Sequence, residues 1–114
     1  MQQEWTNKLN TLIHGAGNFA KINPPVSQAF HQLEAATRQK RLLDDKTHEL
    51  ISLAVAVTTR CDGCIAVHAK KAIDLGVTRE EIAEALSVAI SLNAGAALTY
   101  TARVLEAVDT LPNQ

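Results

Sequence analysis

Aromatic side chains are scarce in this chain. One Trp, one Tyr and two Phe make up 4% of its 114 residues, and Ala-rich stretches take the place of β-branched runs. That composition argues against a sheet and for helices throughout. An excess of either charge is also missing: 11 Lys plus Arg face 12 Asp plus Glu, a net charge of -1. Such a balance leaves no electrostatic footprint for nucleic acid or for an anionic membrane surface. No long apolar run exists. The longest, Leu50 to Val57, is interrupted by Ser52 and falls well short of the roughly 20 residues a membrane span needs. The opening MQQEWTNKLN lacks the basic start and apolar stretch of a signal peptide, so a soluble, cytoplasmic protein is expected. A Gly-rich phosphate loop, a G-x-S-x-G elbow and a dinucleotide fingerprint are all absent.

What is present is enough for one domain spanning residues 1–114. Hydrophobic residues reach 46%, sufficient for a core at this length. Trp5, Leu9, Leu12 and Ile13 have helical spacing, and predict a first helix over about Glu4 to Ile13, ended by Gly15 and Gly17. Pro24 and Pro25 open a second, with Val26, Ala29, Phe30 and Leu33 on one face and the charged stretch Arg38 to Arg41 closing it. Asp44 and Asp45 cap a third over about Lys46 to Thr59. Arg60 to Gly63 reads as a break, because glycine weakens helix. A fourth helix starts near Cys61 and runs to Leu75, with Gly76 as its stop. Thr78 to Glu81 is a T-x-x-E capping box, opening a long helix through about Asp109 that Pro112 ends, with room for a kink near Asn93 to Gly95. The fold class is therefore all-α, a bundle of five to six helices.

Two segments are apolar nearly all round: Leu50 to Val57, and Ala83 to Leu98. Such helices must be covered on every side, and a domain this small has little protein to cover two of them. A homo-oligomer is expected, with Ala94, Gly95, Ala96 and Ala97 permitting close helix approach.

The cysteines carry the chemistry. Only two exist, spaced C-x-x-C as Cys61-Asp62-Gly63-Cys64. A loop that short adds little stability by cross-linking, and the spacing suits redox chemistry or half a metal site. If a helix starts at Cys61, both sulfurs occupy its first turn, where free N–H groups and the helix dipole favour thiolate. His68 follows Cys64 by four residues, beside it on a helix, placed to exchange the thiol proton. Glu49 adjoins the apolar run of the preceding helix; facing that core, it would be desolvated and its pKa would rise. A closed zinc site needs four ligands, so His68 and either Glu49 or His48 would have to join both cysteines. His14 and His31 lack partners at useful spacing, Arg60 adjoins Cys61 and could support a thiolate, and Trp5 and Tyr100 read as packing residues.

The stretch from Glu49 to about Leu98, nearly half the chain, resembles the AhpD-like, carboxymuconolactone decarboxylase superfamily. The shared elements are a glutamate, C-x-x-C, a histidine after three further residues, then GVTREEI and a small-residue helix, with a family core over about 44–109. The resemblance implies an AhpD-like helical fold assembling as trimers or hexamers, and a thiol-dependent peroxidase or disulfide reductase that needs no metal or flavin. It implies a proton relay of Glu49, Cys61, Cys64 and His68, a hydroperoxide or disulfide as substrate, and a dithiol donor such as a lipoyl protein. The chain departs from dedicated alkylhydroperoxidases in two ways: Gly63 stands where several carry a histidine, and the helical body is a single unit. The superfamily also contains lactone decarboxylases, so a lyase using Glu49 and a histidine is an alternative, as is a redox-sensing oligomer without turnover.

Overall fold

Five helices account for the chain in a computed structural model that describes residues 2–39 and 42–113, with no strand among the described residues. They are α1 (Gln2–Ile22), α2 (Pro24–Ala36), α3 (Asp45–Thr59), α4 (Asp62–Asp74) and α5 (Arg79–Thr110). α3 lies between α4 and α5, α1 packs on α4, and α2 packs on α1.

The caps explain most boundaries. Asp44 accepts from the Thr47 N–H at 2.8 Å and starts α3. Thr78 and Glu81 make both bonds of a capping box at the start of α5. α4 ends in a Schellman arrangement: Gly76 has φ 78°, its N–H reaches the Ile73 carbonyl, and the Val77 N–H reaches the Ala72 carbonyl. Ala72 and Val77 are thereby delivered into the core with Leu53, flanked by Leu50, Ala69 and Ile82, which matches the hydrophobic contact that accompanies this stop.

Several sequence expectations are corrected. α1 does not stop at Ile13 but continues through Gly15 and Gly17 to Ile22. Each interior glycine costs only about 1 kcal/mol, whereas Pro24 excludes helical backbone at the residue before it, and Asn23 sits at φ -134°, ψ 73° with its side chain capping α2. The break after α3 falls on Arg60, not Gly63; Arg60 takes the left-handed conformation (φ 54°) and Gly63 lies inside α4. α5 runs unbroken through Asn93, whose side chain donates to the Ala89 carbonyl at 2.7 Å and to Thr58 Oγ1 at 3.0 Å. α2 ends at Ala36 rather than in the charged stretch; of that stretch, Lys40 and Arg41 lie outside the described residues.

The core is small and the apolar faces are largely open. Val26, Phe30 and Leu33 of α2 are exposed, as are Leu98, Val104, Leu105 and Val108 of α5. Tyr100, expected to pack, is exposed with Arg103 over its ring. By length and composition α5 would suffice to cross a membrane. The chain spans 55 × 39 × 36 Å with a radius of gyration of 19.0 Å, against about 13 Å for a compact chain of this length.

Candidate functional site

Two helix ends meet at the cysteines. α3 stops with Arg60 in the position glycine usually holds, and the Cys61 N–H reaches back to the Ala56 carbonyl at 3.1 Å. Cys61 therefore closes α3 with its backbone while its side chain begins α4. It is the N-cap, and its Sγ accepts from the Cys64 N–H at 3.1 Å. Cysteine is not among the preferred capping residues; here a sulfur does the work of a serine oxygen. Cys61 and Cys64 are joined as a disulfide. Cys64 is exposed and Cys61 half-buried.

One turn further along α4 stands His68. It follows Cys64 by four residues on the same helix, the spacing that places two side chains on one face. Its Nδ1 is 2.6 Å from Glu49 Oε1. Glu49, on α3, is 0% exposed and accepts a second hydrogen bond, from Arg38 Nη2 to Oε2 at 3.0 Å. Both carboxylate oxygens are thus engaged by cationic or potentially cationic groups.

This corrects the expected direction of the Glu49 pKa. Burial is the largest influence and does push it upward, as anticipated, but the hydrogen bonds from His68 and Arg38 and their charges outweigh burial and hold the carboxyl below its ordinary value. Glu49 is a fixed anion rather than a group exchanging protons near neutrality. An ionised carboxylate can only accept, so Nδ1 of His68 is the donor and Nε2 is the nitrogen left to accept a proton.

The helix carrying the cysteines is covered at its start by α1. Leu12 lies against Gly63, where an added Cβ would meet its Cδ1 and Cδ2 at 3.2 and 3.3 Å. Lys8 pairs with Asp62 at 3.0 Å. Between them lies an open cleft of about 610 Å³ beside Asp62 and Gly63.

Of the expected residues, Glu49 and His68 are brought into direct contact, and Cys61 and Cys64 are bonded at the start of the same helix. His48 stays apart, its charge acting on Asp44 at the start of α3. His14 is exposed, and His31 is exposed and 3.4 Å from Glu34. Among the described residues no cluster of three His, Cys, Asp or Glu is gathered as a ligand set. Arg38 was missed. Within a short cationic stretch nothing sets it apart, and only the full burial of Glu49 demands a cation there.

Residues 24–107, all of α2 to α4 and most of α5, match the carboxymuconolactone decarboxylase family. The chain belongs to that family. It is 47% identical over 107 residues to an uncharacterized protein of Haemophilus influenzae, covering 94% of this chain and 95% of the other. It is 35% identical over 95 residues to an uncharacterized protein of the cox locus of Paracoccus denitrificans, covering 83% and 86%. Among solved structures it is similar to a carboxymuconolactone decarboxylase family protein from Legionella pneumophila, with TM-score 0.75, 34% identity, and 93% and 95% of the two chains covered. A protein from Methanobacterium thermoautotrophicum gives TM-score 0.70 at 35% identity, covering 75% of this chain and 97% of that one. The family's all-α, AhpD-like fold is thus the fold of this chain.

Proposed function

We propose that this family member is a cytoplasmic thiol–disulfide oxidoreductase of the alkylhydroperoxidase type, working as a homo-oligomer. The observation that carries the reading is the Cys61–Cys64 pair at the N-cap of α4, one turn from an imidazole whose other nitrogen is held by a buried carboxylate.

In the reduced enzyme His68 Nε2 takes the proton of Cys64, the exposed sulfur. The thiolate attacks the outer oxygen of a hydroperoxide; an S–O bond forms, the O–O bond breaks, and the imidazolium returns its proton to the departing alkoxide as alcohol. Cys61, its thiolate favoured by the Cys64 N–H and the helix N-terminus, then attacks the Cys64 sulfur. The S–S bond forms and hydroxide leaves as water. Two thiols are oxidised to one disulfide for each peroxide reduced. A donor dithiol, such as a lipoyl group, reverses this: one donor thiolate attacks Cys64, and Cys61 leaves as the stabilised thiolate, since a lower-pKa thiol departs faster. The second donor thiol then releases Cys64 and the donor is left oxidised.

The test counts free thiols before and after one equivalent of alkyl hydroperoxide and follows peroxide consumption under a dithiol. Two thiols should disappear, turnover should follow, and Cys61→Ser and Cys64→Ser should each abolish it. Unchanged turnover in either variant sinks the mechanism. A reversible disulfide without turnover would mean a redox-sensing protein, and activity on a lactone that survives replacement of both cysteines would mean a lyase.

A further inference from the structure

Arg38 is the feature of the site that the redox reading does not use. It sits just past the end of α2, after Thr37, on an element that otherwise packs on α1. Its guanidinium is 35% exposed, yet it reaches a carboxylate that is 0% exposed. A planar guanidinium carries fixed, always charged donors, so it orients a carboxylate as well as neutralising it.

The groups around Glu49 can be named from every side. Arg38 comes from beyond α2 and His68 from α4. His48 on α3 itself acts on Asp44. α5 turns Glu81 and Glu84 toward Leu50, a different face of α3. On α1, Lys8 is engaged by Asp62. Among the described residues, Arg38 and His68 are therefore the two groups that set the state of this carboxylate.

We propose that Arg38 is a positioning residue of the relay: it occupies Oε2 of Glu49, which keeps Oε1 aimed at His68 Nδ1 and leaves His68 Nε2 as the proton-accepting nitrogen on the face that carries Cys64. The proposal rests on the redox reading for its consequence in turnover, but the carboxylate and imidazole states it describes are observable without turnover. Without Arg38, burial would be opposed by His68 alone. Glu49 would then protonate at higher pH, Nδ1 would lose its acceptor, and the imidazole would no longer be held in one tautomer.

The experiment uses full-length Arg38→Gln and Arg38→Lys proteins with labelled histidine and glutamate, His68 and Glu49 being assigned by their own variants. In Arg38→Gln the Glu49 carboxyl carbon should titrate at higher pH than in the wild type, and the Nδ1–H form of His68 should lose population. Peroxide-dependent thiol oxidation at neutral pH should fall about tenfold, less than the roughly 10²–10⁴-fold that general-base catalysis supplies, because His68 itself remains, and the acid limb of its pH profile should move to higher pH. A purely structural role lowers the rate without moving that limb. Arg38→Lys keeps the charge but not the planar fork, so its Glu49 midpoint should lie between the other two. A folded Arg38→Gln protein with a wild-type Glu49 midpoint and His68 tautomer overturns the proposal. If that variant does not fold, a wild-type midpoint in Arg38→Lys overturns it instead. A wild type that consumes no peroxide would sink the redox reading while the carboxyl and imidazole signals still decide the role of Arg38.

Discussion

Glu49 is a fully buried carboxylate with His68 at one oxygen and Arg38 at the other. Its neighbours Leu50, Ile51 and Leu53 showed that it borders the core, and burial of a carboxylate ordinarily raises its pKa. The opposite outcome depends on Arg38, eleven residues earlier on another element, and no local pattern links the two. Cys61, Cys64 and His68 were legible because their relation is a spacing on one helix; the contact between His68 and Glu49 crosses helices, so no spacing showed it and only the family resemblance implied a relay that joins them. The lowered pKa has a measurable consequence. A carboxyl that stays ionised in the folded chain, below its ordinary value of 4.5, makes the unfolded chain bind the extra proton first. Its contribution is therefore fully present above about pH 4.5 and is lost as pH falls through the lower, folded value. Glu49→Gln removes that contribution. Its stability should be lower at pH 7 by about 1.5–3 kcal/mol, the range for hydrogen bonds to a charged group, and should decline less than that of the wild type as the pH falls below 4.5. Denaturant titrations of both proteins between pH 7 and 3 check this; parallel losses would mean that Glu49 is not held as an anion.

Helix starts were readable throughout and helix stops only in part, for a physical reason: α3, α4 and α5 end within a residue of Thr59, Leu75 and Asp109, whereas α1 runs on to Ile22 and α2 stops at Ala36. Asp44 and Thr78 with Glu81 act through their own side chains on N–H groups three residues away, and Pro24 acts through its own fixed φ, so their effect is local. Stops depend on which residue the surrounding packing forces into left-handed backbone. Gly76 met that expectation, but Arg60 took the same role after α3 while Gly15 and Gly17 stayed helical. Gly63 has a different purpose. It lies inside α4 because Leu12 of α1 leaves no comfortable space for a Cβ, which also accounts for the absence here of the histidine that several alkylhydroperoxidases carry between their cysteines. Gly63→His should push α1 off the start of α4, seen as faster hydrogen exchange along residues 5–13 with little change in α5. Adding Leu12→Ala should restore part of the loss, with a coupling of about 0.5–3 kcal/mol between the two sites as for other residues in contact. Strict additivity would show that Gly63 is not kept for the approach of α1.

At the scale of the whole molecule the single chain leaves much apolar surface uncovered. A compact monomer of 12.3 kDa would expose roughly 6,100 Å², and this chain exposes 9177 Å². The excess, roughly 3,000 Å² on one chain, is well above the roughly 800 Å² per partner of an ordinary interface and above the roughly 1,000–2,500 Å² per partner of most permanent ones. Part of it lies where the sequence placed its all-round apolar segments, on Ile51, Val55 and Val57 of α3 and on Val88, Ile90, Leu92 and Leu98 of α5, and it continues beyond them along α5 through Val104, Leu105 and Val108. These positions are repeated on every copy, so a second copy of the same chain can cover them symmetrically. Light scattering coupled to size exclusion should therefore give a multiple of 12.3 kDa, with the trimer or hexamer of the family resemblance as the expected count. Folding would be coupled to assembly, so the melting temperature should rise with protein concentration. Leu105→Glu places a charge on that surface far from Cys61 and Cys64. It should shift the mass toward the monomer and lower the melting temperature, because the exposed half of α5 has no core of its own to hold it. A wild-type chain that remains monomeric at micromolar concentration, with a radius of gyration near 19.0 Å and a concentration-independent melting temperature, would refute assembly as the means by which these faces are covered.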